Sequence, residues 1–191
     1  QWTANTYTLT YDTKGGSPLE DQTVTFDSPY IGESPERVGY IFDRGCKDTA
    51  YTQPITIGST LVKTAADHSI YAKWNPITYK IYYADGTNTV KVQNAKYGEA
   101  FNLPLASTLN LTPPANHHFV GWNNLSADAT TVTYADGQRI TTGLTTINND
   151  SVNLFAVWAP KAKSVYVTGD FNGWEKWQKL CKPSRKKSCI M

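Results

Sequence analysis

Long hydrophobic runs are missing from this 191-residue chain. No stretch approaches the ~18 apolar residues of a membrane-spanning helix, which excludes a helical span. Cysteine is scarce: three residues, at 46, 181 and 189. An odd count excludes a complete internal disulfide set, and the spacing fits neither a zinc ribbon nor a CxxC pair. Charged residues make up 18% against 40% hydrophobic, so this is not a disordered acidic chain. The opening QWTANTYTLT has no basic start and no apolar core, so it is not a signal peptide. There is no Gly-x-Ser-x-Gly elbow, no His-Glu-x-x-His and no phosphate loop. The expectation is a protein that is not an enzyme, with no catalytic residues, no cofactor and no metal.

Helix formers are sparse, while threonine (25 residues), tyrosine (12) and tryptophan (6) are abundant. β-branched and aromatic side chains suit pleated, half-buried surfaces, so a β-dominated protein is expected. The net charge of +2 conceals an asymmetry. Residues 1–160 carry 10 Lys and Arg against 14 Asp and Glu; residues 161–191 carry 8 against 2. A mildly acidic body with a basic tail argues against nucleic-acid binding by the body.

The chain repeats itself. Tyr7-Thr8-Leu9-Thr10-Tyr11 returns as Tyr79-Lys80-Ile81-Tyr82-Tyr83, and Phe42 returns as Phe119. Ile70-Tyr71-Ala72-Lys73-Trp74 returns as Leu154-Phe155-Ala156-Val157-Trp158. The offset grows from 72 to 84 because the second copy carries insertions near 111–114 and 143–149. Apolar residues alternate along each block, which is the period of a strand. Lys14-Gly15-Gly16 and Asp85-Gly86 supply turn chemistry after the first strand of each copy. Gln22–Phe26 then returns, so each copy opens with a hairpin. Leu61–Ala66 is the one modest helix candidate. Asn75-Pro76 alone separates the copies, predicting a short, stiff junction.

These blocks, in this order, resemble the Listeria–Bacteroides repeat, the B-repeat type of module found in internalins. The likeness covers residues 5–74 well and 77–158 more loosely. It implies an α+β fold, with small ubiquitin-like β-grasp modules strung in series on secreted or wall-anchored bacterial surface proteins. The expected organisation is a first repeat at 1–75, a second at 76–159 and a basic extension at 160–191. The family's Gly-Trp pair survives as Gly121-Trp122, but the first copy has Gly45 where the tryptophan should stand. The first copy should therefore be less stable, or Cys46 and its neighbours should refill the space.

His117-His118 is the one histidine pair, read as a surface loop because neighbouring strand residues face opposite ways. Asp85-Gly86 and Asp136-Gly137 read as turns rather than catalytic acids. Tyr7, Phe26, Phe42, Trp74, Phe119, Trp122 and Trp158 recur at matched places and are expected in the core. In the tail, Lys163–Trp174 resembles the opening of a starch- or glycogen-binding module, which makes Phe171, Trp174 and Trp177 candidate carbohydrate-binding residues. Only 17 residues follow Trp174, far short of such a module. Ser164–Thr168 is expected to add as a strand to the second repeat or to a neighbouring chain, with disorder after Cys181. Cys189 is one place too near the end for prenylation.

The leading expectation is a non-enzymatic extracellular spacer or adhesion region of a bacterial surface or secreted protein. Its partner would be a host or cell-surface protein or a glycan, with no nucleic acid and no membrane span. The chain would be a monomer or associate weakly through strands. The alternative is an accessory starch-like binding segment of a secreted polysaccharide-degrading protein.

Overall fold

The structure is a computed structural model that describes residues 3–162. Among these residues eleven strands run in chain order: β1 (Thr6–Asp12), β2 (Gln22–Thr25), β3 (Tyr40–Cys46), β4 (Pro54–Ile55), β5 (His68–Pro76), β6 (Thr78–Asp85), β7 (Asn88–Lys96), β8 (Phe101–Asn102), β9 (His117–Asn123), β10 (Arg139–Ile140) and β11 (Ser151–Pro160). Among the described residues the helical content is one 3-10 turn, Ala106–Thr108.

The first half is a mixed sheet in the order β2-β1-β5-β3-β4, and the second is a sheet in the order β7-β6-β11-β9. No strand is shared between them. In each, an opening hairpin lays its first strand parallel to the closing strand, which pairs antiparallel on its far side. The β8–β10 pair of the second half corresponds to a single Pro29–Leu61 bridge in the first.

Register agrees residue by residue. Tyr11 lies opposite Ile70 as Tyr83 lies opposite Leu154. Phe42 lies opposite Trp74 as Phe119 lies opposite Trp158. Both pairings are then interrupted by a bulge one residue later, at Asp43 and at Val120. Beyond it Gly45 meets Ala72 as Trp122 meets Ala156. A slip of one residue would turn every core side chain to solvent, so a shared bulge reflects a shared pattern of burial.

The cores follow from the alternation. Leu9, Val24, Tyr30, Ile55, Val62 and Ile70 form one, and Tyr79, Ile81, Tyr83, Leu103, Trp122 and Leu154 anchor the other. The helix expected at Leu61–Ala66 is absent, and with it the α part of the expected α+β class. Six residues are too few to pay for helix nucleation. Extended backbone there places Val62 in the core and bonds it to the turn after β2, through Val62 N–H to Ser28 O and Asp27 N–H to Val62 O, 2.9 Å each. The His117-His118 loop is also corrected: both residues open β9.

Of the seven aromatics expected in the core, Trp122 is fully buried. Tyr7, Phe26, Phe42, Trp74, Phe119 and Trp158 are half-buried. They lie near strand ends.

Candidate functional site

The two halves meet in a clasp built on the Asn75-Pro76 junction. β5 does not end before it: Asn75 still pairs with Ile41 and Pro76 with Tyr40. Ile77, 3% exposed, then donates its N–H to Gly39 O at 3.0 Å, and Tyr97 N–H bonds Ile77 O at 3.1 Å. The Tyr97 ring lies flat on Gly39, whose φ of +77° and lack of a side chain both fit the contact. Any Cβ at Gly39 would fall inside that ring. Tyr97 also meets Tyr40 edge to face at 5.8 Å, and the Arg37 guanidinium covers Tyr40 at 3.9 Å from the ring centre. An open groove of about 1090 Å³ runs beside the clasp, with Arg37, Tyr40, Phe42, Trp74 and Tyr97 along its walls.

A second feature sits under Gly45. In the second half four rings form a ladder: Tyr83 to Trp122 at 5.2 Å, Trp122 to Phe119 at 5.0 Å and Phe119 to Trp158 at 6.0 Å, all edge to face. The first half keeps three of the four rungs. Phe42 and Trp74 pair at 5.6 Å, and Tyr11 stands where Tyr83 does. The supporting hydrogen bonds match as well: Tyr11 Oη donates to Gln22 Oε1 at 2.8 Å, and Tyr83 Oη to Gln93 Oε1 at 3.0 Å. The missing rung is the indole. A pocket remains there, lined by Tyr11, Phe42, Gly45, Ile55, Ile57 and Ile70 among others, with a free space of about 30 Å³. Cys46 does not refill it. As the residue after Gly45 in β3 it faces the opposite side, at the place Asn123 holds in the second half. Ile70 leans in instead, its Cγ2 standing 2.8 Å from where a Gly45 Cβ would be.

The electrostatics are local. Asp43 on the β3 bulge accepts from Arg44 Nε and Nη2 at 3.1 and 3.0 Å and faces Lys73 Nζ at 3.5 Å, and these cations hold its carboxyl below the usual range. Burial raises the Tyr11, Tyr79 and Tyr83 phenols and the Cys46 thiol. His68 is tied down, with Nδ1 2.8 Å from Ala66 O and Nε2 2.8 Å from Tyr30 Oη. A carbonyl can only accept, so Nδ1 carries the proton in the neutral ring and Nε2 accepts from Tyr30. That pair was not readable in sequence, since 38 positions separate its members. Asp85-Gly86 and Asp136-Gly137 lie at turns, with positive φ at both glycines. Among the described residues no three His, Cys, Asp or Glu side chains converge on a metal-sized site. Phe171, Trp174, Trp177, the Ser164–Thr168 strand and the segment after Cys181 lie outside the described residues.

The geometry defines a β-dominated protein of two like-built sheets joined through a packed contact. Residues 7–73 match the Listeria-Bacteroides repeat domain, and these residues span the first sheet. The chain is also similar to two proteins of Evansella cellulosilytica. One, described as "Putative membrane protein", is 29% identical over 128 residues; the other, "Putative Gly-rich membrane protein", is 25% identical over 126. Each match covers 64% of this chain but only 18% and 14% of the relatives, so the chain spans less than a fifth of their length. Among the described residues no helix is long and apolar enough to cross a membrane.

Proposed function

We propose that the chain is a non-enzymatic spacer region of a bacterial surface or secreted protein, built from two tandem copies of one β-grasp-like repeat that lack the helix. The observation that carries this is the fixed joint. A flexible tether would leave the linker solvated; here Asn75 and Pro76 are paired, Ile77 is buried and Tyr97 closes over Gly39. The shared order of four strands and the shared register support reading both halves as copies. The match at 7–73 and the much longer relatives support a repeat within a larger surface protein. Any host or cell-surface partner, protein or glycan, would then engage the faces or loops of the repeats rather than a catalytic cleft.

The test is a distance measurement between spin labels on exposed Thr23 of β2 and Lys91 of β7, each changed to cysteine, with Cys181 and Cys189 changed to serine and Cys46 left buried. A rigid spacer gives one narrow distance distribution that broadens on Tyr97→Ala. A broad distribution in the protein with Tyr97 intact refutes the spacer reading.

A further inference from the structure

We propose that the pocket under Gly45 is a receptor for a tryptophan side chain presented by another polypeptide. The structure itself shows what such a pocket holds. At the matched register position in the second half, Trp122 is fully buried between Tyr83 and Phe119. The first half keeps Tyr11, its Gln22 partner and Phe42 in the same places but supplies no ring of its own. The argument rests on the two halves being copies of one repeat, which the shared register supports independently of the spacer reading.

The pocket's chemistry suits an incoming indole. Its walls are apolar and aromatic: Ile55, Ile70 and Ala72 form the floor, with Tyr11 and Phe42 beside them. Ring–ring contacts of this edge-to-face kind add about 0.5–1.5 kcal/mol each beyond burial. The pocket is also lined by exposed Glu33 and Ser34, whose oxygens can accept from an indole N–H. In the second half the Trp122 Nε1 is buried with no acceptor among the described residues. The first half thus offers a visiting indole a polar partner that the resident one lacks.

The free space of about 30 Å³ is far too small for an indole, so the ring cannot enter a static pocket. Ile57, 48% exposed, and half-buried Leu19 line the pocket, and entry of the ring requires them to swing outward. An external ring also carries no Cβ tethered at position 45, so it escapes the Ile70 methyl that would obstruct a tryptophan grown from β3.

The probe is N-acetyl-tryptophanamide, titrated into the full chain and followed by amide chemical shifts, with N-acetyl-leucinamide as the control. The expected result is saturable shifts at Gly45, Ile55 and Ile70 with a Kd of about a millimolar, as befits one small ligand. The leucine control should bind at least ~10-fold more weakly. Ile57→Asp sits at the exposed mouth and should leave the fold intact while weakening binding at least ~10-fold, because the ring would then bury a charge. Gly45→Leu fills the pocket from inside and should abolish the shifts. Two outcomes overturn the proposal: no saturable shift at these residues, or shifts that Ile57→Asp leaves unchanged. A third does so as well: shifts that appear only after Trp174→Ala with Trp177→Ala would mean that the chain's own tail is the occupant. None of these bears on the spin-label distances, so the spacer reading stands or falls separately.

Discussion

Restoring the family's tryptophan at position 45 should destabilise the first half, and a single methyl group decides why. A Cβ on Gly45 would stand 2.8 Å from Ile70 Cγ2, well inside the ~3.5–4.0 Å of ordinary carbon–carbon contact. Only about 30 Å³ is free in the adjoining pocket, so the rest of an indole would displace Ile55, Ile57 or Leu19 as well. Overpacking of this kind costs about 1–3 kcal/mol. In the second half the residue beside Trp122 is Leu154, which branches one carbon further out and has no Cγ2 to obstruct the ring. Ile70→Leu alone conserves volume and should cost under ~1.5 kcal/mol. Gly45→Trp combined with Ile70→Leu should therefore be at least ~1 kcal/mol more stable than the two single effects added, because the second change removes the clash created by the first. Urea unfolding gives the stabilities, and hydrogen exchange at β1 and β3 amides assigns them to the first half. If Gly45→Trp alone stabilises that half by more than ~1 kcal/mol, the pocket is open rather than closed by Ile70. If the two changes add within ~0.5 kcal/mol, the Ile70 methyl is not the obstacle.

Trp122→Ala should cost the second half about 3–5 kcal/mol, since it removes a fully buried ring and both of its aromatic contacts; thermal unfolding read by near-ultraviolet circular dichroism tests it, and a loss under ~1.5 kcal/mol would mean the ladder is not a support. Tyr83 gives a pH signature. Burial raises its phenol above the ordinary value of about 10, so the folded chain keeps a proton that the unfolded chain releases. Stability from this group is full below about pH 10 and is lost as pH climbs toward the raised folded value. Tyr83→Phe, which also gives up the bond to Gln93, should flatten that alkaline decline, and an unchanged slope above pH 10 would assign it elsewhere.

Much of the fold was legible because strand period and turn chemistry are local. Tyr7, Leu9 and Tyr11 alternate, Asp85-Gly86 closes a hairpin, and the recurrence of Ile70–Trp74 at 154–158 fixed the closing strands. The helix at Leu61–Ala66 failed for a tertiary reason: Val62 reaches the core only from extended backbone, and no local propensity records that demand. Gly45 was recognisable as a missing tryptophan, but not what replaced it, since Ile70 lies 25 positions away and the fold alone brings its Cγ2 over the gap. Arg44 shows the same limit. The family glycine at that position, Gly121, is required because Val132 Cγ1 would lie 2.5 Å and Tyr134 O 2.7 Å from any Cβ there. Arg44 is exposed and pairs with Asp43. Its departure from the pattern is therefore not a defect to repair.

The clasp was illegible for a further reason: its parts come from different copies. Gly39 precedes β3 of the first half and Tyr97 follows β7 of the second, and neither position suggests the other in sequence. Yet their contact changes what a two-residue junction means. Pro76 by itself restricts one backbone angle and would leave the halves free to swing about the other dihedrals. The Ile77–Gly39 hydrogen bond and the Tyr97 ring remove that freedom by making the linker part of both units. A joint of this kind couples their stabilities. Unfolding the first half strips Tyr97 and Ile77 of cover, so loss of one half weakens the other through the contact that sets their relative direction.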